Sequence, residues 1–554
     1  MTVARSATHL ERVLSVGVLA IFSWGALSLI LQSGVLPHWD YWVSVPLDLS
    51  QGRLQAEMAR WFVPFNEHYV IIPHLFYTAN RFLFGGNNIV LGLVAFGFAW
   101  LQAICLCLMA RRSVTHQLGK WVLIVMVAIA SFTPMASHNW ISGMSGVAWV
   151  SANAFAVLAV TLLYFGVQRS SWWCLAAILC GVLASLCYTT GLAVWPALLL
   201  GALFLRASTF KLLLLFGASA AAVGTYFSAY EVPGHNPDIE FSVSALSQYI
   251  GAYMGAAWTL SKPQVIWVGM ATIAVIVGLS FRSFDDADLK RRAPWVMLAV
   301  FVGGTAMMAA MSRAGFGVYQ GIGSRYATLH ALGAVSLLGL LVTWVRSQGD
   351  VGWRRVPVAT VLIPVVLVSL FAWAAYVKSA GQTAHNLSKV PRKEVAGIAL
   401  ILGLEQHDVL SAYLSPRFSL PEWREAAIPI LETIDHLPFH ESFLDCPAMG
   451  EQIDIANAQI VRGFVDKSQT VPGGRRLEGW AYAENDQILC LVLTDAEQAV
   501  VGYGGIGFDR PDVRASVGEQ AEAAGWIGYT RGAAHPIYAY VLLASDRRWA
   551  RFPQ

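Results

Sequence analysis

The chain has 554 residues, of which 56% are hydrophobic and 13% are charged, and its formal net charge at pH 7 is +3. This composition is typical of a polytopic membrane protein and excludes a large soluble enzyme. The net charge is too small to favour nucleic acid as a partner, and the sequence has no basic cluster with interleaved aromatic residues.

Apolar segments of membrane-spanning length recur through residues 1–377, which form the predicted transmembrane domain. They predict a multi-pass α-helical membrane protein of about eleven spans. The predicted spans lie near 13–36, 88–110, 121–138, 146–167, 172–189, 191–206, 211–230, 264–281, 294–312, 326–345 and 356–377. Gly191 and Pro196 break one nearly continuous apolar run, CYTTGLAVWP, which is tolerated where the backbone is buried in protein or lines a cavity. Residues 243–258 predict a further amphipathic helix, either at the membrane surface or dipping partly into it.

The distribution of Lys and Arg predicts the orientation of the chain. Fifteen of these residues fall in one alternate set of connecting segments and six in the other. Because positively charged loops remain in the cytoplasm, we expect a cytoplasmic N-terminus and an external first loop. An odd number of spans then places the C-terminal tail outside as well.

The first external loop, residues 37–88, is dense in aromatic side chains. Asp40 follows the first span and is flanked by Trp39, Tyr41 and Trp42. A carboxylate held at a membrane boundary by aromatic walls is partly desolvated, which suits a general base. The alternative is an interfacial Asp that caps a short helix within an aromatic belt.

Glu67 and His68 are adjacent in the same loop, in the run FNEHY. Such a pair can share a proton, orient one another or bind a metal with a third ligand, whereas the alternative is a helix start with Glu67 near its N-terminus. His74 and Arg81 follow at helical spacing. Arg81 is either an anion contact or an interfacial residue whose charged end reaches towards the headgroups. We take Asp40, Glu67 and His68 as candidate catalytic residues, and His74 and Arg81 as candidate substrate-binding residues.

The external segment 312–326, SRAGFGVYQGIGSRY, combines flexible glycines with Arg313 and Arg325. Guanidinium groups bind phosphate bidentately, so a lipid phosphate or pyrophosphate is their predicted counter-charge. The alternative is an ion pair with Asp40 or Glu67 inside the protein.

The tail changes character after the last span. Residues 378–455 predict a helical extracytoplasmic connector, and the short alternating runs in 456–554 predict a small β-sandwich. Cys446 and Cys490 lie in this tail and can pair if it faces an oxidising compartment. The tail also carries three aromatic residues that are either glycan-stacking surfaces or sandwich core, namely Trp480, Tyr482 and Trp526.

A long first external loop that opens with an Asp just past the first helix resembles the C-type superfamily of polytopic glycosyltransferases. The runs FNEHY, GLAVWP and GIGSRY are also similar to bacterial membrane proteins assigned to that superfamily, and the resemblance covers residues 10–380. It implies a polyprenyl-phosphate sugar as donor at the outer face of the bacterial cytoplasmic (inner) membrane. It also implies Asp40 as the base, and Arg325 with Tyr326 as the groups that hold the lipid-linked phosphate. Tyr41 follows Asp40 where the family usually has a second acid, so a divalent metal stays open as a cofactor and no other cofactor is implied.

The predicted function is transfer of a sugar from that donor to a surface glycan or glycolipid, as in the biosynthesis of lipopolysaccharide or another surface polysaccharide. The acceptor hydroxyl loses its proton to Asp40 while its oxygen attacks the anomeric carbon, and Arg313 and Arg325 face the departing phosphate. Glu67 and His68 orient Asp40 or the acceptor. Membrane lipid is the remaining expected partner. Three alternatives stay open: a polymerase or ligase acting on lipid-linked oligosaccharide, a glycolipid transporter or flippase without chemistry, and a non-catalytic scaffold.

Overall fold

The structure is a computed structural model of the whole chain. It describes residues 2–228, 230–231, 234, 239–281, 286–347, 358–532 and 536–552. Parts of two predicted cytoplasmic loops, 282–285 and 348–357, lie outside the described residues. The chain divides into two compact units, and each is assembled from three separate segments. Unit 1 comprises Met1–Leu31, Met58–Tyr77 and Val90–Ala384, and unit 2 comprises Gln32–Glu57, Thr78–Ile89 and His385–Gln554.

Most of the described residues are helical, and the strands are confined to the C-terminal region. The helices are α1 (Thr2–Leu31), α2 (Arg53–Trp61), α3 (Ile71–Phe84), α4 (Asn88–Ser113), α5 (Gln117–Ser131), α6 (Ser137–Ile141), α7 (Gly143–Gly166), α8 (Ser171–Cys187), α9 (Val194–Phe204), α10 (Thr209–Ser228), α11 (Val243–Gly255), α12 (Gln264–Ser280), α13 (Asp286–Arg313), α14 (Ala327–Ser347), α15 (Val358–Trp373), α16 (Ala380–Leu387), α17 (Val390–Ile401), α18 (His407–Tyr413), α19 (Pro421–Thr433) and α20 (Pro511–Val517). The strands are β1 (Gln459–Ile460), β2 (Arg462–Val471), β3 (Gly474–Tyr482), β4 (Ile488–Thr494), β5 (Val500–Phe508), β6 (Gly525–Arg531), β7 (Tyr538–Leu543) and β8 (Trp549–Arg551).

The predicted multi-pass helical architecture is confirmed in its coarse form. Eight helical segments of the described residues are long and apolar enough to cross a membrane. Three of the other predicted spans coincide with shorter apolar helices, at Ser171–Cys187, Thr189–Phe204 and Gln264–Ser280. Every predicted span therefore coincides with an apolar helix, and the number of these helices that cross the membrane stays a prediction.

The amphipathic segment at 243–258 forms helix α11, and its C-terminal half is buried in unit 1. Gly251 and Gly255 lie one turn apart on α11 and meet Gly269 of α12. A Cβ atom on Gly255 would lie 1.8 Å from the carbonyl oxygen of Val265, and one on Gly269 would lie 1.8 Å from that of Gly251. Glycines at this spacing let two helix backbones approach closely, as they do in membrane helix pairs.

The predicted break at CYTTGLAVWP is confirmed as an interruption of the helix in unit 1. Helix α8 ends at Cys187, Tyr188 is extended, and a 3₁₀ turn over Thr189–Ala193 leads into α9. A Cβ atom on Gly191 would lie 2.0 Å from the carbonyl oxygen of Ala184, so the turn packs directly on the end of α8. Tyr188 is thereby placed inside the helical unit, where it forms part of the site described below.

The tail has the predicted helices, but its strands are arranged differently from the predicted β-sandwich. All eight strands belong to one hydrogen-bonded sheet, in the order β1-β8-β7-β4-β5-β6-β3-β2. This sheet curls on itself, because Trp526 of β6 stacks on Phe552 beside β8 with ring centroids 6.3 Å apart, although three strands separate β6 from β8. A single curled sheet thus encloses the core that two separate sheets were expected to enclose.

The tail aromatics divide between the sheet core and a helix contact. Trp526 is 1% exposed and belongs to the core. Trp480 and Tyr482 are half-buried and pack against a cluster formed by Val513 of α20 with Ala521 and Ala524, which follow α20 in the chain. These contacts match the core alternative for all three aromatic residues, while their role as glycan-stacking surfaces stays a prediction.

Cys446 and Cys490 form a disulfide in unit 2, with Cα atoms 5.5 Å apart. The sequence left their pairing open. The other five cysteines are free and buried, as expected for small core residues.

Candidate functional site

A tight turn places Glu67 and His68 in the interior of unit 1. The backbones of Phe65 and His68 exchange hydrogen bonds of 2.8 and 2.9 Å, and Asn66 between them has a φ of 53°. Asn tolerates this left-handed conformation better than most residues. Glu67 is 4% exposed and His68 is 9% exposed, so a turn that buries both side chains stands where the alternative interpretation placed a helix start.

Arg313, at the end of α13, forms an ion pair with Glu67. The sequence offered either a lipid phosphate or an internal carboxylate as the counter-charge of Arg313, and in the structure the counter-charge is the carboxylate of Glu67. The same carboxylate lies 3.4 Å from Nε2 of His68. Glu67 therefore stands between an arginine and a histidine, and the three side chains form one polar group.

A hydroxyl chain holds the imidazole of His68 from its other side. His68 Nδ1 is hydrogen-bonded to the Thr189 hydroxyl, which is in turn hydrogen-bonded to the hydroxyl of Tyr226. The Tyr226 hydroxyl also lies 3.1 Å from the backbone carbonyl of Glu67, which it can reach as a donor. Because both ring nitrogens of His68 face polar atoms, the orientation of the ring is fixed.

Arg325 lies in the 3₁₀ turn Ser324–Tyr326, directly before helix α14, and is half-buried. One of its guanidinium nitrogens donates to Gln320 Oε1 at 3.1 Å, and its backbone carbonyl accepts from Asn139 at 3.0 Å. Among the residues that the structure describes, no carboxylate lies within ion-pair distance of Arg325. Its guanidinium carbon is 5.1 Å from the ring centroid of buried Tyr326. The contacts of Arg325 are thus with neutral groups, and its positive charge is not neutralised by a carboxylate among the described residues.

A series of aromatic rings joins the Glu67–His68 pair to the Arg325–Tyr326 pair. The His68 ring lies 4.0 Å from that of Tyr188, which lies 4.3 Å from Trp149. Trp149 in turn lies 5.2 Å from Tyr326, with the rings edge to face. The structure therefore brings five of the predicted residues into one aromatic cluster of unit 1, namely Glu67, His68, Arg313, Arg325 and Tyr326.

The pKa of His68 is lowered from 6.5 to about 4, mainly by burial and also by the positive charges of Arg313 and Arg325, against an opposing effect of Glu67. Both arginines are therefore close enough to act on His68. At neutral pH the imidazole is uncharged, so the cluster carries two guanidinium charges against one carboxylate.

We expect the protein to lose stability as the pH falls from about 6.5 to about 4, because the unfolded chain binds a proton at His68 that the folded protein excludes. The contribution is complete above pH 6.5 and falls by at most about 1.4 kcal/mol per pH unit below it. Thermal unfolding of the detergent-solubilised protein at pH 4.5–7.5 measures this, with His68→Gln flattening the profile. His385→Gln, at an exposed histidine, is the control. Equal profiles for the parent and His68→Gln would contradict the prediction.

The remaining predicted residues lie elsewhere. His74, on α3, is buried in unit 1, where its ring lies 5.4 Å from that of Tyr77. Arg81 and Asp40 belong to unit 2. Asp40 lies in a 3₁₀ turn beside Trp39 and is exposed, so the desolvation expected for it is not seen within the chain. The convergence of Asp40 with Glu67 and Arg325 stays a prediction.

Arg81 is fully buried and forms an ion pair with Glu57, which is also fully buried. Its Nε donates to Glu57 Oε1 at 2.6 Å, and another guanidinium nitrogen reaches the Ser44 hydroxyl at 3.2 Å. Thr78 donates to the second carboxylate oxygen at 3.2 Å. The guanidinium is thus enclosed by internal partners, and its predicted contact with a substrate anion stays a prediction.

The described residues contain no group of three or more His, Cys, Asp and Glu side chains that could hold a metal ion. The residues present therefore do not form a recognisable divalent-metal site, and no step below depends on a metal.

Four residues of the cluster were missed by sequence reasoning, namely Trp149, Tyr188, Thr189 and Tyr226. For Tyr188 and Thr189 the signal was the break in the apolar run, which marked backbone that packs inside the protein. For Trp149 and Tyr226, which lie within apolar helices, the sequence carries no such signal.

Comparison with known proteins adds no family to these observations. No protein-family model matches the chain, and no curated protein matches its sequence significantly.

Proposed function

We propose that this protein is a membrane glycosyltransferase that moves a sugar from a polyprenyl-phosphate donor to a surface glycan or glycolipid. The observation that carries the proposal is the half-buried Arg325, which has neutral neighbours and stands close to the Glu67–Arg313 ion pair. The excess positive charge in an aromatic cluster is complementary to a phosphate group, and arginine is the residue best suited to bind phosphate bidentately.

The helical frame of unit 1 suits a lipid-linked donor. The apolar helices supply the surroundings that a polyprenyl chain requires, and Arg325 lies at the start of the candidate span Ser324–Trp344. A guanidinium at the end of a span can meet a phosphate at headgroup depth while the prenyl chain stays in the hydrocarbon.

In the proposed reaction the acceptor oxygen forms a bond to the anomeric carbon, and the bond from that carbon to the phosphate oxygen breaks. The acceptor proton passes to a carboxylate, for which Asp40 remains our candidate, and the bonding electrons leave with the lipid phosphate. Arg325 stabilises the negative charge on the departing phosphate, which is the usual role of a fixed guanidinium in such transfers. The buried Glu67–His68 pair holds Arg313 in place through the ion pair of Arg313 with Glu67.

We further propose that the N-terminus is cytoplasmic, that eleven helices span the bacterial cytoplasmic membrane, and that the tail is extracytoplasmic. The disulfide between Cys446 and Cys490 supports an oxidising surrounding for the tail. The excess of Lys and Arg in the alternate loops supports the same orientation.

We expect Arg325→Gln to lower sugar transfer by about 10²–10³-fold, because the departing phosphate loses its charge-assisted contact. The measurement is mass spectrometry of surface glycans and lipid-linked sugars from a deletion strain that expresses the parent or the variant at equal membrane levels. The variant should lack one sugar of the glycan and accumulate the polyprenyl-phosphate sugar.

Arg206→Gln is the matched control, since Arg206 lies in the same unit and forms an exposed ion pair with Asp286. Accumulation of a pyrophosphate-linked oligosaccharide would instead indicate a polymerase or ligase. A deletion strain with unchanged glycans and lipid-linked sugars would contradict the proposed transfer.

A further inference from the structure

Three polar side chains surround Tyr326 in the interior of unit 1. Tyr249 and Tyr253 lie one turn apart on α11, and both are 0% exposed. The Tyr253 ring is 5.5 Å from that of Tyr326 and 4.6 Å from that of His330 on α14. The His330 ring is 6.4 Å from Tyr326. Tyr249, Tyr253 and His330 therefore form one cluster next to Tyr326, and Arg325 lies over the ring of Tyr326.

Three polar atoms of this cluster have no hydrogen-bond partner among the described residues. Among the described residues, no atom forms a hydrogen bond with the hydroxyl of Tyr249, the hydroxyl of Tyr253 or Nε2 of His330. The nearest polar groups are the Tyr326 hydroxyl for Tyr249 and the Thr305 hydroxyl for Tyr253, and neither meets hydrogen-bond geometry. The His330 ring meets the backbone of Gly321, which leaves its Nε2 without a partner. Buried polar groups are nearly always paired in native proteins, and each unmade hydrogen bond destabilises the fold. Three such groups around one ring therefore point to a ligand.

A glycine-containing segment covers the cluster. Residues 318–322 form a 3₁₀ turn that packs on α11, and a Cβ atom on Gly321 would lie 3.2 Å from the carbonyl oxygen of Tyr249. Gly317, with a φ of 111°, begins this turn and has open space around it. Because the hydroxyls are buried, a ligand would reach them only if this turn shifted outward, and Gly317 has the backbone freedom to act as its hinge.

We infer that Tyr249, Tyr253 and His330 form the subsite for the sugar ring of the donor. A sugar offers hydroxyl groups that both donate and accept, which matches two phenols and an imidazole, and its C–H face suits an aromatic ring. The sugar is bonded directly to the phosphate, so the sugar subsite must adjoin the phosphate-binding Arg325. Tyr326 links the two, because its ring centroid lies 5.1 Å from the guanidinium carbon of Arg325 and its ring borders the proposed subsite. This inference rests on the proposed function, because Arg325 is taken to hold the phosphate.

The test separates the sugar from the phosphate. The purified full-length protein in lipid nanodiscs is titrated with undecaprenyl phosphate and with a panel of its hexose and pentose esters. The parent should bind one ester at least about ten-fold more tightly than undecaprenyl phosphate. Tyr253→Phe and Tyr249→Phe should each lower the affinity for that ester by about three- to ten-fold and leave the affinity for undecaprenyl phosphate unchanged.

Tyr164→Phe is the matched control, because Tyr164 is buried in the same unit and lies over Arg112 instead. The Tyr253 and Tyr249 variants should fold at least as stably as the parent, because they remove hydroxyls that have no partner. A parent that binds no ester better than undecaprenyl phosphate, or variants that weaken both ligands equally, would overturn the subsite. If Arg325→Gln binds undecaprenyl phosphate as tightly as the parent does, the failure belongs to the phosphate site of the proposed function.

Discussion

Replacing Glu57 with alanine is expected to destabilise unit 2 by about 3–5 kcal/mol, because Arg81 would remain as a buried charge without its carboxylate. Both side chains of the ion pair are 0% exposed, and Ser44 alone cannot neutralise the guanidinium. The pair joins the segment that ends at Glu57 to the segment that begins at Thr78. Hydrogen exchange read by mass spectrometry should therefore accelerate by about 150- to 5000-fold in peptides from 32–57 and 78–89, where exchange requires the unit to open.

Two variants sharpen this test. Replacing both partners, Glu57→Met with Arg81→Met, removes the charges together and should restore most of the protection. Glu522→Ala breaks the exposed pair with Arg514 in the same unit and should change stability by less than about 1 kcal/mol. An effect of Glu57→Ala as small as that of Glu522→Ala would show that the buried pair has no special role.

Removal of the disulfide is the second large effect expected. Cys446 and Cys490 are 44 residues apart in sequence, so their bond restricts the unfolded chain substantially. The double variant Cys446→Ala with Cys490→Ala should lower the free energy of unfolding of unit 2 by about 2–4 kcal/mol. Denaturant unfolding monitored by hydrogen exchange in the strands of the sheet measures the difference.

Reductant supplies the control for that experiment. It should destabilise the parent to the level of the double variant and leave the double variant itself unchanged. Thiol labelling under native, non-reducing conditions should modify neither Cys446 nor Cys490 in the parent. Two labelled thiols in protein extracted from the membrane would contradict both the disulfide and the oxidising location proposed for the tail.

Much of the fold follows from local patterns. Each apolar segment of spanning length predicts a helix without knowledge of its neighbours, and the alternating runs after residue 456 predict strands. The sheet order was beyond such patterns, because the pairing of β1 with β8 joins Gln459 to Ala550 across most of the tail. Alternation shows which face of a strand is buried, and it leaves open whether one curled sheet or two flat ones bury it.

The sequence allowed several residues of the site to be identified, but it did not show which of them contact one another. Glycines and arginines in 312–326 identified Arg313 and Arg325, but the choice between Glu67 and a phosphate as the partner of Arg313 depends on two residues 246 positions apart. Glu57 received no role, because it lies in a polar run, RLQAEMARW, in which a buried acid looks like any exposed one. Its partnership with Arg81 becomes visible only when the segments around α2 and α3 are brought together.

The discontinuity of unit 2 has a consequence for biosynthesis. The segments 32–57 and 78–89 belong to a unit whose remainder, 385–554, is translated last. The backbone amide of Trp39 bonds to the carbonyl of Leu414, and that of Leu437 to the carbonyl of Gly85. At about 5–20 residues per second, the ribosome needs roughly 20 s to 1 min to supply those partners. Throughout that interval the nascent first loop must be shielded from aggregation and proteolysis, and a premature stop before residue 385 would leave it permanently without its fold.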